Sequence, residues 1–427
     1  MSNIVHLPRS VQLRPQSPRF AFFIRVGRND HLEMLDLIAT GEKGIFGFVI
    51  EAQNIERHRI LMNAARERHY DLILDPNTQR MGFPGGNTGK LATLPWGSVR
   101  HHNVTDFDDR PGRIRAKQIV DTALTHGFTH LLGPTHLLNG PNDPWLRPDI
   151  STMNFAWEEI SRENHELGLI YSLALPMDIF RRRPERLALI AAIGDAQCDA
   201  IWLKIENFGD DATGEKTAAY IEACRDFHER GIPLVGDCVG GLPGLGAVAF
   251  GAIGGIAHGV TIHQNFHASN WRRPPVPSTG GISWRVYIPQ LDLLMKPTAA
   301  KTLFEASPRI RARCGCRDTR CCPQGTRDMI RRPARHAIYQ RARELEGLSE
   351  TPDSSRVSRY LDERVRRVSD EITMIANVEG LDDDLRKAFL KKQRELGRFR
   401  HAMAHLSEVA PPDSLAISPP RRSATGH

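Results

Sequence analysis

Short apolar runs that end in polar residues recur along the first 270 residues of the chain. They predict strands at residues 20–26, 47–50, 72–74, 129–132, 167–174, 200–205, 233–235 and 255–262. Nearly continuous apolar strands, separated by polar stretches of helical length, indicate strands that are buried on both faces and joined by crossover helices. The pattern therefore predicts a parallel α/β sheet rather than a β-sandwich.

The stretches between these strands are compatible with helices. Helices are predicted at residues 55–69, 114–126, 152–166, 185–192, 216–230 and 245–254. Because barrels of alternating strands and helices occupy about 250 residues, the eight units predict a (β/α)8 TIM-like barrel at residues 20–290. A doubly wound open sheet would produce the same local pattern and stays open as an alternative.

Smaller parts are predicted on both sides of the barrel. They are an N-terminal extension (1–19), a cysteine-rich zinc-binding segment (291–346), a basic helical hairpin (347–410) with helices at 356–378 and 381–406, and a disordered tail (411–427). Two long irregular stretches, 76–111 and 263–289, follow strand ends, where barrel enzymes build their sites. The sequence therefore places the site of the barrel in these loops.

Composition and charge restrict the classes of function. Hydrophobic content of 40% and charged content of 25% are ordinary for a folded protein. No apolar run reaches the roughly 18 residues of a membrane span, and residues 1–19 lack the apolar core of a secretory signal. We therefore expect a cytoplasmic protein without a membrane partner.

The net charge of +7 is concentrated near the C-terminus, where residues 301–427 hold 26 Lys and Arg against 18 Asp and Glu. A basic part beside a nearly neutral barrel favours a polyanionic partner such as DNA or RNA, because Lys and Arg neutralise phosphates. A solvated helical surface explains the same charge pattern equally well.

Four of the seven cysteines lie within nine residues, and a histidine follows. The cluster is Cys314, Cys316, Cys321, Cys322 and His336. Thiolates and imidazole are preferred zinc ligands, and four of them close a structural, non-catalytic site. A disulfide or a group of buried thiols is the alternative. The spacing leaves open whether Cys314 or Cys322 is the surplus cysteine, and whether the site is all cysteine.

Polar residues stand at the carboxyl ends of several predicted strands, where they would converge over one end of the barrel. They are Glu51, Asp75, His136, Lys204, Glu206, Asp237, His258 and His263. Asp75 and Asp237 have the residue type for one nucleophile or base and one acid, with pKa values separated by their environments. The others are expected to contact substrate. Helix caps, turns or a Lys204–Glu206 ion pair are the structural alternatives.

After the seventh strand, Gly240 and Gly241 begin a glycine-rich run that could let backbone N–H groups approach a planar or anionic ligand. The run lacks the Lys-Ser/Thr ending of a triphosphate-binding loop. We therefore expect it to contact a base rather than a nucleotide triphosphate.

The order of these features resembles the tRNA-guanine transglycosylase superfamily and its DNA-modifying relatives. The resemblance covers roughly residues 20–345: a barrel, an acid after the third strand, a Gly-Gly-Leu segment and a Cys-x-Cys knot with a later His. It implies that Asp75 accepts the base, that Gly240 and Gly241 contact it, and that Cys314, Cys316, Cys321 and His336 hold structural zinc.

In that family an Asp on the last strand attacks C1′ of a nucleoside, and a second base then replaces the first. No acid occupies the last strand here, so the resemblance assigns the attack to Asp237, or implies a barrel that binds nucleic acid without catalysis. The expected function is exchange of a purine or deazapurine base. A small-molecule lyase or hydrolase using Lys204 and Glu206 is a further alternative.

Overall fold

Eight parallel strands close into a barrel in the computed structural model, which describes residues 20–42, 44–86, 89–162, 166–273, 284–410 and 414–420. The strands are β1 (Ala21–Arg25), β2 (Gly47–Glu51), β3 (Asp71–Asp75), β4 (His130–Leu132), β5 (Gly168–Pro176), β6 (Ala200–Glu206), β7 (Leu234–Asp237) and β8 (Gly255–Gly259). Pairing of β1 with β8 closes the ring, with Ala21 opposite Gly255. The (β/α)8 prediction is confirmed, and the open sheet is excluded.

Helices follow the strands, and the longer ones form the outer layer of the barrel. They are α1 (His31–Ala39), α2 (Arg59–Glu67), α3 (Thr78–Met81), α4 (Asp109–Thr125), α5 (Leu146–Arg162), α6 (Met177–Phe180), α7 (Arg183–Ile193), α8 (Gly214–Arg225), α9 (Gly241–Ala249) and α10 (Ser269–Arg272). Each of the six predicted helices has a counterpart, whereas α1, α3, α6 and α10 have none in the prediction. Helix α1 buries Met34, Leu37 and Ile38 against the barrel.

Alternation along the strands gives the barrel an apolar interior. Residues that face the axis include Phe23, Val49, Ile73, Trp202 and Val235, which pack together as one buried cluster. Because side chains alternate between the two faces of a strand, the last inward position of each strand lies at the carboxyl end of the barrel. We call this end the mouth.

The C-terminal part consists of a short strand pair and further helices. The strands Val286–Ile288 and Leu293–Met295 form an antiparallel hairpin. The helices are α11 (Pro297–Ala306), α12 (Pro308–Cys314), α13 (Thr326–Arg331), α14 (Pro333–Ser349), α15 (Asp353–Arg359), a π-helical segment (Tyr360–Arg366), α16 (Arg367–Ala376) and α17 (Asp383–Val409). Helices α15 to α17 form the expected hairpin, which also packs against α8.

This hairpin is not basic. Residues 347–410 hold 12 Lys and Arg and 12 Asp and Glu, whereas residues 291–346 hold 13 and 6. The prediction of a basic hairpin is therefore wrong, because the acidic residues at the start of α17 and along α15 and α16 balance the charge. The basic surplus belongs to the cysteine-rich segment.

Part of the predicted tail lies along the amino-terminal end of the barrel. The Ala416 amide donates to Gly251 O, and Ile417 O accepts from the Leu234 amide, at 2.8 and 3.2 Å. Residues 414–420 are thus held by backbone hydrogen bonds, although the whole tail was expected to be disordered. The predicted N-terminal extension, and residues 411–413 and 421–427 of the tail, lie outside the described residues. Among the helices that the structure describes, none is long and apolar enough to cross a membrane.

Candidate active site and metal centre

A cluster of charged side chains occupies the mouth. Its members stand at inward positions near the carboxyl ends of their strands: Arg25, Glu51, Asp75, Lys204 and Asp237. Arg25 follows Ala21 and Phe23 on the inward face of β1, and Glu51 lies directly opposite Asp75 in the β2–β3 register. The structure therefore brings together four residues that the sequence indicated and adds Arg25.

Arg25 bridges the two aspartates. Its Nε and Nη2 donate to Oδ1 and Oδ2 of Asp237 at 2.5 and 2.6 Å, and its Nη1 donates to Asp75 Oδ2 at 2.6 Å. Lys204 Nζ lies 3.4 Å from Asp237 Oδ2. Fork-shaped pairing of this kind fixes the orientation of both partners. Neither aspartate caps a helix, although Asp75 Oδ1 also accepts the Asn77 amide in a local turn.

Both aspartates are held in the ionised form. Burial raises their pKa, but the charges of Arg25 and Lys204 outweigh burial, so the pKa of each lies below its usual range. The two pKa values therefore move in the same direction, because one guanidinium contacts both carboxylates. They differ in access instead: the Asp75 side chain is 10% exposed and that of Asp237 is 0% exposed.

Glu51 is the carboxyl group whose titration moves in the opposite direction. Burial and repulsion by Asp75 raise the pKa of Glu51. Its Oε2 accepts hydrogen bonds from the side-chain amides of Gln53 and Asn54 at 2.7 and 3.1 Å. The mouth thus contains one carboxyl group with a raised pKa, Glu51, beside two with a lowered pKa, Asp75 and Asp237. An acid–base site requires such a separation between a proton donor and ionised carboxylates.

Lys204 and Gln79 connect the charged cluster to strand β5. Lys204 Nζ donates to Gln79 Oε1 at 3.2 Å, and Gln79 Nε2 donates to Ser172 O at 2.9 Å. Sequence reasoning missed Gln79, which lies on α3 within a stretch expected to be irregular. It also missed Arg25, whose signal was a cation at an inward position of an otherwise apolar strand.

An aromatic cover lies over the mouth, formed by residues 265–272. Phe266 packs 4.9 Å from Trp271 between ring centroids, and Lys204 Nζ lies 5.6 Å from the Phe266 ring centroid. Arg272 holds the cover through two 2.7 Å hydrogen bonds to Glu206. Glu206 therefore anchors a loop, and the Lys204–Glu206 ion pair, the structural alternative to a substrate contact, does not form between the described side chains.

The structure places two predicted histidines away from the charged cluster. His258 points outwards from β8 and packs against Phe22, 5.0 Å between ring centroids. His136 Nδ1 lies 2.7 Å from Asp149 Oδ1, and its ring stacks on Trp145. Burial lowers the pKa of each histidine to about 3, so both rings are neutral near pH 7. Both side chains instead contact protein groups outside the charged cluster, so the structure does not support their prediction as substrate contacts.

The glycine-rich run is packed by protein instead of being open to a ligand. A Cβ at Gly240 would come within 2.4 Å of Gln264 Oε1, and Gly241 has a φ of +62° and faces Asp210. These positions need glycine for close packing. By contrast, His263 is exposed in the loop after β8, within electrostatic reach of Arg25 and Asp30.

A second cluster, of three cysteines and one histidine, could hold a metal ion. Its ligand atoms belong to Cys316, Cys321, Cys322 and His336 and lie within 4.8 Å of one another. His336 Nδ1 lies 3.3 Å from Cys321 Sγ and 3.4 Å from Cys322 Sγ. Three thiolates and an imidazole make a complete tetrahedral set without an open position. An all-cysteine site does not form among the described residues.

The geometry prepares His336 to act as a ligand. Its Nε2 lies 3.0 Å from Tyr287 O, so a proton on Nε2 leaves the Nδ1 lone pair directed at the cysteines. Backbone carbonyls commonly orient metal-binding histidines in this way. Gln340 Nε2 also donates to Cys316 Sγ at 3.5 Å.

Cys314 is the surplus cysteine. It ends α12 and is fully buried in the main apolar core, outside the four-residue cluster. The assignment of Cys314 as a ligand is wrong, because the cysteine that completes the set is Cys322, which follows Cys321 directly and shares its turn.

Comparison with family models and with curated proteins finds no match. Among solved structures, a thiamine phosphate pyrophosphorylase from Pyrococcus furiosus is 13% identical with a TM-score of 0.31, over 60% of this chain and 92% of that chain. The carboxyl transferase domain of Rhizobium etli pyruvate carboxylase is 10% identical with a TM-score of 0.38, over 91% and 63%. 2,3-Dimethylmalate lyase is 11% identical with a TM-score of 0.35, over 56% and 76%. None of these three is a tRNA-guanine transglycosylase, and likenesses this weak carry no argument about family.

Proposed function

We propose that the protein is a barrel enzyme that exchanges a purine or deazapurine base in a nucleic acid, with Asp75 as the nucleophile. The observation that carries the proposal is the arrangement at the mouth. Asp75 and Asp237 are ionised and bridged by Arg25, and Glu51, whose pKa is raised, lies opposite Asp75. Asp75 is preferred over Asp237 because the Asp75 side chain is 10% exposed, whereas the Asp237 side chain is fully buried and has both oxygens bound by the same guanidinium.

The chemistry follows from these roles. Asp75 Oδ attacks C1′ of the target nucleotide, the C1′–N bond breaks, and its electron pair leaves with the base, which takes the Glu51 proton. The incoming base then loses a proton to the Glu51 carboxylate and attacks C1′, which releases Asp75. Adjacent strands lie about 4.8 Å apart, which suits the separation of roughly 5 Å between carboxyl groups in double-displacement glycosidases.

The aromatic cover suits a planar substrate. A base inside a helix must leave its stack before an enzyme can reach C1′, and aromatic side chains commonly receive the extruded base. Phe266 and Trp271 lie beside the charged cluster, and Phe83 packs on Trp271 with 6.3 Å between ring centroids. The cover would supply the stacking surface, and the charged cluster below it would supply the reacting groups.

The experiment that tests the proposal is incubation of the purified protein with tRNA or duplex DNA and a radiolabelled purine or 7-deazapurine base. We expect label in the polymer, and a covalent protein–nucleic acid adduct that survives denaturing electrophoresis when no incoming base is supplied. A mixture with free nucleosides is the control for the need for a polymer. Absence of both label and adduct with either polymer would refute base exchange.

Glu51 should set the alkaline limit of the reaction. Because its folded-state pKa is raised, the proton needed by the leaving base is present at lower pH and is lost as pH rises through that pKa. We expect Glu51→Gln to abolish the fall in kcat at high pH and to lower kcat about 10²- to 10⁴-fold. A leaving group that needs no protonation, such as a nitrophenyl aglycone, should restore much of the rate. If kcat of the variant still fell at high pH as in the parent, Glu51 would be excluded as the acid.

We also propose that the metal ion of the second cluster is zinc and that it is structural. Thiolate-rich tetrahedral sets favour zinc, and a complete set leaves no position for a reacting water. The four ligands join the loop between α12 and α13 to the start of α14. Zinc would therefore hold this segment folded, while the charged cluster at the mouth carries the chemistry.

Cys322→Ser and Cys314→Ala separate the two assignments of the cysteines. We expect about one zinc per chain in the parent protein and in Cys314→Ala, and well below one in Cys322→Ser, because a closed site needs four ligands. Elemental analysis after dialysis measures this directly. Equal zinc loss in both variants, or zinc retained in Cys322→Ser, would contradict the ligand set.

A further inference from the structure

We infer that the exposed arginines around the metal cluster form the surface that binds the phosphate backbone of the nucleic acid. This arginine surface consists of Arg309 and Arg311 on α12, Arg317 in the following loop, and Arg327 and Arg331 on α13. The inference rests on the proposed function, since it identifies where the polymer lies while its base occupies the mouth.

Charge distribution is the first support. Residues 291–346 carry a net charge of +7, which equals the net charge of the whole chain, whereas the helical hairpin at 347–410 is neutral. Counterion release from phosphates scales with the number of Lys and Arg that approach them. The segment around the metal cluster is therefore the part of the chain with the charge to bind a polyanion.

These five arginines also make no ion pair with a carboxylate of the described residues. None of the described residues offers a carboxylate within 4.0 Å of Arg309, Arg327 or Arg331. Arg311 and Arg317 donate only to backbone carbonyls, Phe304 O and Ala312 O. Other arginines nearby are already paired: Arg313 with Glu371 and Arg332 with Glu33. Five guanidinium groups thus keep donors for an external anion.

Their position suits a polymer that reaches the mouth. Arg332, at the junction of α13 and α14, pairs with Glu33 in the first turn of α1. Helix α1 begins just after β1 ends, so its first turn lies at the mouth end of the barrel, where Arg25 stands. Arg331, which precedes Arg332, therefore lies near the rim of the mouth, and a backbone bound to the arginine surface would reach the mouth from there and present a base to Asp75.

The composition of the surface favours a nucleic acid over other anionic partners. All five groups are arginines, which bind phosphate in a forked geometry. Membrane-binding and protein-binding surfaces also expose large apolar side chains. Among the described residues, none of the exposed large hydrophobic side chains belongs to segment 291–346. The metal ligands between Cys316 and Cys322 would hold the surface rigid.

The test compares two triple variants that each remove three positive charges. Arg309→Gln/Arg327→Gln/Arg331→Gln changes the arginine surface, and Lys391→Gln/Arg394→Gln/Arg398→Gln changes exposed positions of α17 on the neutral hairpin. Binding of a fluorescent DNA duplex and of a tRNA transcript is measured over a salt series. Zinc content and thermal melting confirm that both variants fold.

We expect the first variant to bind at least about tenfold more weakly at 0.1 M salt and to lose about 2 to 3 from the slope of log K against log salt, and the second to change little. Equal binding by the first variant and the parent, a larger loss in the hairpin variant, or parent binding to anionic lipid vesicles but not to either polymer would overturn the inference. Binding that depends on the arginines without base exchange would refute the proposed chemistry alone.

Discussion

Replacing Asp75 by Asn should abolish base exchange, with a loss in kcat of about 10⁴-fold or more, because an amide cannot form the covalent intermediate. The variant should bind nucleic acid normally and form no adduct. Its fold should persist, since Arg25 keeps its two hydrogen bonds to Asp237. Exchange rates and adduct formation, measured beside the parent protein, check the prediction.

Two further variants complete this measurement. Asp237→Asn should form the adduct more slowly, since Asp237 orients Arg25 without being exposed to substrate. Asp178→Asn, at a surface carboxylate that is 73% exposed, should react as the parent does. If Asp75→Asn kept an exchange rate within tenfold of the parent and Asp237→Asn lost exchange, the nucleophile would be Asp237.

Replacing Arg25 by Met should lower the free energy of unfolding at pH 7 by about 3 to 5 kcal/mol, because it leaves buried Asp75 and Asp237 without their shared cation. In the parent the pKa of both aspartates is lowered, so their pairing stabilises the fold above the unfolded-state pKa and is lost as pH falls. In the variant the pKa of both aspartates should be raised, so acidification should neutralise them. The difference in unfolding free energy between variant and parent should therefore be smaller at pH 5 than at pH 7. Urea unfolding at pH 7 and pH 5 measures both effects.

The exposed Arg113, which pairs with Glu158, is the control for loss of a cation at the surface. Arg113→Met should change the unfolding free energy by less than about 1 kcal/mol. Adding Asp237→Asn to Arg25→Met should recover part of the loss in unfolding free energy, since Asp75 is then the only one of the two carboxylates left without the guanidinium, and Lys204 remains nearby. An Arg25→Met variant as stable as the parent at both pH values would show that the bridge is energetically unimportant.

The sequence predicted the barrel well because apolar runs such as residues 72–74 indicate burial on both faces of a strand. It also indicated Glu51, Asp75, Lys204 and Asp237, since strand-end positions of a parallel barrel converge whatever the loops do. It failed for side chains whose direction depends on register. His258 stands one position after the inward Ala257 and therefore points towards the helices. Arg25 stands two positions after the inward Phe23 and therefore points into the barrel, but the apolar run around it hid this position.

Contacts between distant segments explain the remaining errors. An ion pair with Lys204, two residues away, is the structural alternative that the sequence allows for Glu206, but its partner is Arg272 in the loop after β8. Spacing alone allowed either Cys314 or Cys322 as the surplus cysteine, and the choice depends on how α12 ends and how the next loop turns towards His336. Neither a loop path nor a helix end can be read from residue types alone.

Tyr287 connects the metal cluster to the barrel through consecutive hydrogen bonds. Its carbonyl accepts from His336 Nε2, its hydroxyl donates to Asp292 Oδ1, and Asp292 Oδ2 accepts the Leu242 amide at the start of α9. The predicted boundary between residues 290 and 291 falls inside the strand hairpin that carries these groups. Chelation should therefore loosen the backbone just beyond β7, so that amide hydrogen exchange rises in α9 as well as around the cysteines, and the barrel and the metal segment would melt as one cooperative unit.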